Sequence, residues 1–171
     1  TAYVANIGIK DDTDDFVVVT AERPVPCAAL FTKSRFAGPS VVVSREHVSN
    51  GVAQAVVVIS KNSNVATGQA GHNDAVNVAT GVGDRLGVDP TNVVVTSTGV
   101  IGRRYPIDRV RAGIAALPPK PAGTDATAAA IGMMTTDTVA KVAAATVTGS
   151  DARIVGMAKG GGMIEPDTAT H

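Results

Sequence analysis

Apolar residues run in short β-branched stretches through much of the chain and recur at helical spacing in a few longer ones, so the pattern predicts strands interleaved with helices. Residues 3–9 and 16–20 read as strands. Between them the polar stretch Lys-Asp-Asp-Thr-Asp-Asp at 10–15 reads as the solvated turn of a hairpin; it lacks the glycine and terminal glutamate of a calcium loop. Residues 28–32, 40–43 and 55–60 are further strands, with Ser44 placed to cap a brief helix through Val48. The unbroken Val-Val-Val-Ile run at 56–59 predicts burial on both faces. Turn formers fill 61–68, after which Ala75, Val78, Ala79, Val82 and Leu86 make the apolar face of a helix over 72–86. A strand at 93–96 runs into the loop 97–102, a junction of the kind that places side chains at a site. Pro106 opens a helix whose face is Ile107, Val110, Ile114 and Leu117, followed by a proline-rich linker at 117–123. Thr124 or Asp125 caps an alanine-rich helix ending near Met134, and strands at 140–147 and 153–158 close the pattern around a Thr-Gly-Ser-Asp turn. The mixed order predicts an α/β fold, a layered mixed sheet with covering helices, in one domain over residues 1–171.

Composition narrows the function classes. Hydrophobic residues at 44% against 18% charged belong to a folded chain rather than a disordered one. Aromatics at 3%, with no Trp, disfavour base-stacking or carbohydrate platforms. Fifteen basic and fifteen acidic residues leave zero formal charge, so nothing draws the chain to nucleic acid or an acidic membrane, and small-molecule chemistry is the expectation. Cys27 is the single cysteine, which rules out an internal disulfide; set between Pro26 and an apolar run, it reads as a buried small residue. The first residues lack the basic start and apolar run of a signal peptide, and no apolar run is long enough to span a bilayer, so a soluble cytoplasmic protein is expected.

Several familiar chemistries do not fit. Gly81, Gly83 and Gly87 miss the dinucleotide fingerprint by one residue and lie at the end of a helix instead of opening one. His47, His72, His171 and Cys27 have no metal-ligand spacing, and no Gly-x-Ser-x-Gly elbow accompanies them, so neither a metal nor a serine triad is expected. The closing stretch is more specified: Lys159 precedes three glycines, Pro166 biases Glu165 towards an extended backbone, and Thr170 follows as a possible nucleophile. A glycine-rich loop before a plain tail is the alternative on composition.

Four segments in order alter that balance. They are Phe-Thr-Lys-Ser-Arg-Phe-Ala-Gly-Pro-Ser-Val at 31–41, Thr-Ser-Thr-Gly-Val-Ile-Gly-Arg at 96–103, Met-Thr-Thr-Asp-Thr at 134–138, and the run from Ala158 to Thr170. Together they resemble the ornithine acetyltransferase family, self-processing N-terminal-nucleophile enzymes also called glutamate N-acetyltransferases, and the whole chain resembles that family's α-chain. The resemblance implies the family's fold and a precursor that cuts itself at an Ala-Thr bond, here Ala169-Thr170, freeing a threonine whose own α-amino group serves as base. A threonine hydroxyl is a weak nucleophile at neutral pH, and an amine within reach can take its proton during attack on an acyl group. The family usually places a methionine before the Ala-Thr pair, where this chain has Thr168.

Carried over position by position, the resemblance implies Thr170 as nucleophile, the Thr98 hydroxyl and Gly99 backbone N–H as oxyanion hole, and Thr135 and Lys159 as substrate contacts. Asn62, Ser63 and Asn64 would shape the pocket. Structural alternatives stand beside these: Thr98 satisfying a loop backbone, Thr135 a helix-end hydroxyl, and Lys159 a solvated charge. The implied activity moves an acetyl group from N-acetylornithine to glutamate, without metal or nucleotide cofactor, with acetyl-CoA an alternative donor. A β-chain from the same precursor is expected to follow, in an α2β2 assembly. An amidohydrolase or aminopeptidase, in which water resolves the same acyl-enzyme, and a non-catalytic α-like subunit are the other readings.

Overall fold

A computed structural model describes residues 1–162 of the chain. A four-stranded sheet runs in the order β1 (Ala2–Ala5), β2 (Phe16–Pro26), β3 (Val52–Asn62), β4 (Val93–Val100). The β1–β2 and β2–β3 pairs are antiparallel, and β3–β4 is parallel. Parallel neighbours need a crossover, which α2 (Gly68–Leu86) supplies. One face of the sheet packs Phe16, Val18, Val57, Ile59, Val93 and Val95 against Val78 and Val82 of α2, Val110 and Ile114 of α3 (Ile107–Ala116), and Leu117. The other face sets Val17 and Val58 against Ala129 of α4 (Ala126–Met133), with Met157 at the margin. The layered mixed sheet with covering helices is thus as the pattern predicts, and Val57, Val58 and Ile59 are buried on both faces of a central strand. α4 approaches so closely at Gly132 that a Cβ there would lie 2.5 Å from Val17 Cγ2, which makes glycine a packing requirement.

Five expectations are overturned, four of them within residues 3–32 and one at 40–43. The strand expected over 3–9 stops at Ala5. The Asp15 carboxylate, fully buried, accepts N–H bonds from Ile7 (2.8 Å), Ile9 (2.7 Å) and Lys10 (3.2 Å), groups that a continuing strand would direct elsewhere. The acidic stretch is therefore exposed only at Lys10, Asp11 and Asp12, and Asp15 is an internal anchor. The strand expected at 28–32 has no regular structure, and Leu30 is 93% exposed. Cys27 beside it is half-buried, not enclosed.

The strand expected at 40–43 is the first turn of α1 (Pro39–His47), with proline at its N-terminus. Its polar stripe decides the matter. The Ser44 hydroxyl accepts from the Val95 N–H (2.8 Å) and donates to the Val95 carbonyl (2.6 Å), while His47 Nδ1 lies 2.8 Å from the Val93 carbonyl. A carbonyl only accepts, so Nδ1 carries the proton. The Ser97 hydroxyl sits 2.9 Å from that of Ser40. Ser40, Ser44 and His47 thus stand in for a fifth strand along the open edge of β4. Beyond α4, β5 (Lys141–Thr146) and β6 (Arg153–Ala158) form a separate antiparallel pair whose Ile154 and Val155 are 62% and 50% exposed.

Candidate active site

The parallel strands β3 and β4 end side by side, Ser60 opposite Thr98 and Lys61 opposite Gly99, with a register shift at Asn62. Gly99 has φ +142°, and a Cβ built on it would lie 2.1 Å from the Lys61 carbonyl carbon and 2.5 Å from Asn62 N. Two backbones therefore meet at a distance only glycine permits. Thr98 falls within β4 and not in a loop, half-buried on the face of the sheet that α4 covers, because its register partner Ser60 donates its hydroxyl to the Gly132 carbonyl (2.6 Å). Among the described residues the Thr98 hydroxyl has no hydrogen-bond partner, so it is a donor held near a rigid backbone turn with its proton uncommitted.

Lys61, at φ +72°, reaches back under this junction. Its ammonium donates to the Asp14 carbonyl (2.8 Å), the Ser60 hydroxyl (2.9 Å) and the Met134 carbonyl (2.6 Å), using all three N–H groups. Desolvation holds it below the ordinary lysine range, against the pull of Asp15. The next three residues spend their polar groups on the backbone. Asn62 Oδ1 accepts from the Asn64 N–H (2.8 Å) and its Nδ2 donates to the Arg104 carbonyl (3.0 Å). The Ser63 hydroxyl donates to the Val100 carbonyl (2.8 Å), and Asn64 Nδ2 to the Gly71 carbonyl (2.8 Å). All three are buried, so they build the loop behind the strand ends.

Thr135 follows the C-terminus of α4, directly after the carbonyl that Lys61 holds. Its N–H donates to Asp137 Oδ2 (3.2 Å), while Asp137 Oδ1 accepts from Lys141 Nζ (2.6 Å) and the Gly160 N–H (2.5 Å). The Asp137 side chain is completely enclosed, and its carboxyl is held well below the usual carboxylate range, chiefly by Lys141. Lys159, beside Gly160, is half-buried; desolvation lowers its pKa and the Asp137 charge opposes that. A continuous series of contacts thus runs from Gly99 through Lys61 and Met134 to Thr135, Asp137 and Gly160. It joins the Thr98–Gly99 strand end to Thr135 and Lys159, which lie far apart in sequence.

A cavity of about 1000 Å³ opens beside the middle of this series, lined by Asp14, Lys61, Met134, Thr135 and Asp137 together with the 10–13 loop; Thr98, Gly99 and Lys159 are not part of its lining. Lys61 and Asp137 are the residues sequence reasoning did not single out. Asp137 lies inside the Met-Thr-Thr-Asp-Thr segment, two residues after the Thr135 whose N–H it accepts. Ala169 and Thr170 lie outside the described residues. No group of three His, Cys, Asp or Glu side chains among the described residues could hold a metal ion, and no helix among them is long and apolar enough to cross a membrane.

The sequence profile of the ArgJ family matches residues 1–171. The arginine biosynthesis bifunctional protein ArgJ 2 of a Nostoc species is 46% identical over 99% of this chain and 43% of its own length. The glutamate N-acetyltransferase Oat2 of Streptomyces clavuligerus is 46% identical over 98% of the chain and 42% of its own. The chain thus spans less than half the length of these curated relatives. Among solved structures, the ornithine acetyltransferase of Mycobacterium tuberculosis complexed with ornithine superposes with a TM-score of 0.89 at 33% identity, over 96% of this chain and 90% of that one. The bifunctional argJ protein of Bacillus halodurans gives 0.88 at 33% identity, over 96% and 88%.

Proposed function

The chain belongs to the ArgJ family, and on that premise we propose that it is the α-part of an acyltransferase that moves an acetyl group from N-acetylornithine to glutamate. The observation that carries this reading is the Thr98–Gly99 strand end: a hydroxyl with no partner among the described residues next to a glycine locked against the neighbouring backbone. Donors fixed in advance of reaction suit a developing oxyanion, since they need no reorganisation when charge appears.

In this reading the precursor cuts itself between Ala169 and Thr170, and the freed α-amine takes the Thr170 hydroxyl proton as the oxygen attacks the acetyl carbonyl of N-acetylornithine. The tetrahedral oxyanion lies against the Thr98 hydroxyl and Gly99 N–H. It collapses with departure of the ornithine amine, which takes up the proton and leaves an acetyl ester on Thr170. The glutamate α-amine then attacks that ester, releasing N-acetylglutamate and restoring the hydroxyl. Lys159, whose ammonium makes no hydrogen bond to a described residue, is suited to an amino-acid carboxylate, and Thr135 to a polar group beside it. The remaining part of the precursor supplies the β-chain of an α2β2 cytoplasmic assembly. The residues that carry this chemistry need neither metal nor nucleotide cofactor, and acetyl-CoA serves as an alternative donor.

The complete gene product, incubated with N-acetylornithine and labelled glutamate, is expected to yield labelled N-acetylglutamate and a second chain beginning with threonine by N-terminal sequencing. Free acetate without labelled product would indicate an amidohydrolase. An uncut chain, with activity untouched by Thr170→Ala, would indicate a non-catalytic subunit. Thr98→Ala is expected to lower kcat by about 10²–10³-fold, as loss of one oxyanion donor does.

A further inference from the structure

Thr135 and Lys159 belong to different elements, yet a single carboxylate holds both segments. Asp137 accepts the Thr135 N–H through one oxygen and the Gly160 N–H through the other, which it shares with the Lys141 ammonium. Its donors come from the bend after α4, the start of β5 and the stretch after β6. The side chain has no exposed surface, and its oxygens are engaged by these three donors. The charged groups facing it are Lys141, Lys159 and, at the end of β3, Lys61. Lys141 is an ion-pair partner of Asp137 and Lys61 is spent on three acceptors, so Lys159 is the member of the trio with no hydrogen bond to a described residue. A carboxylate that fixes two backbone segments and leaves one ammonium uncommitted is arranged to aim that ammonium.

We propose that Asp137 is the positioning residue of the substrate site, setting the relative placement of Thr135 and Lys159 and hence the seat of the amino-acid substrate's carboxylate. The proposal rests on the acetyl-transfer reading given above. Asp137 itself touches no reacting atom and acts through the two segments it binds.

Asp137→Asn in the full-length protein keeps one acceptor oxygen but loses the charge and the second acceptor. It is expected to raise KM for glutamate and N-acetylornithine about tenfold, with kcat within about threefold of wild type, because binding geometry and not the acyl chemistry is disturbed. In a Lys159→Met background the same substitution is expected to raise KM by clearly less than it does alone, since of the two segments it places only that of Thr135 still carries a substrate contact. Unchanged KM in Asp137→Asn, a fall in kcat alone, or full additivity with Lys159→Met overturns the proposal. Should Asp137→Asn not fold, Lys141→Met removes the carboxylate's ion pair at a side chain 40% exposed. That variant is expected to raise KM about threefold with kcat retained, and unchanged KM there overturns the proposal equally. Wild-type protein that transfers no acetyl group overturns the functional reading, and this proposal with it. An active wild type beside an unaffected Asp137→Asn overturns the proposal alone.

Discussion

At the scale of the residue, a methyl group on Gly99 would lie 2.1 Å from the Lys61 carbonyl carbon, on a backbone at φ +142°. Overpacking and backbone strain together are expected to destabilise Gly99→Ala by about 2–5 kcal/mol. A lowered urea midpoint and lost activity would register it; a wild-type midpoint would mean that the two backbones are not locked. Asp15 invites a similar test. Its carboxylate accepts three backbone N–H groups in a fully buried position, so Asp15→Ala is expected to lose about 3 kcal/mol or more in chemical denaturation, each orphaned donor adding its desolvation. These residues differ in how far sequence could read them. Gly99 stands out as a candidate through the Thr-Ser-Thr-Gly segment, but its steric necessity depends on register with Lys61 on the neighbouring strand. Asp15 does not stand out in the sequence, because four aspartates in a short polar run all look solvated, and only the folded loop brings three N–H groups to one of them.

At the scale of the element, α1 is where local preference and tertiary context part. Val41, Val42 and Val43 are β-branched and favour a strand in isolation. The open edge of β4 prevails, because its Val95 N–H and carbonyl would otherwise be buried without partners and Ser44 satisfies both. Ser44→Ala is therefore expected to destabilise by about 1–3 kcal/mol in urea titration, more than an exposed serine would, because both backbone groups are left unpaired. The spacing of Ser40, Ser44 and His47 at helical intervals carried this signal in the sequence, hidden by the apolar run between them. The helices at α2 and α3 were easier to read, since their apolar faces repeat over several turns and pack on the sheet as the period demands. The hairpin of β5 and β6 was also legible from its turn, although its exposure was not.

At the scale of the whole molecule, Tyr105 reports on the closure of the core. It is buried to 4% exposure, its hydroxyl near Ser97, Asn64 and Ser40 but without a hydrogen-bond partner among the described residues, and burial pushes its pKa up to about 12. An unfolded tyrosine ionises near pH 10, so the unfolded chain loses its proton first and stability falls as pH rises from about 10 to 12, by roughly 3 kcal/mol. Denaturation midpoints across that range should show the fall in wild type and a shallower one in Tyr105→Phe, which should be near neutral in stability at pH 7 because the hydroxyl has no partner to lose. Sequence by itself determined the α/β class, the main amphipathic helices and the central buried strand, because periodicity is local; Thr98, Gly99, Thr135 and Lys159 entered as candidates through the resemblance of short motifs. Tertiary structure alone decided that α1 replaces a strand at the sheet edge, that Asp15 is internal, and that Lys61 and Asp137 tie the strand ends to the α4 and β6 segments. Those outcomes depend on which backbone groups are left without partners once the sheet has formed, a quantity that no local window of sequence contains.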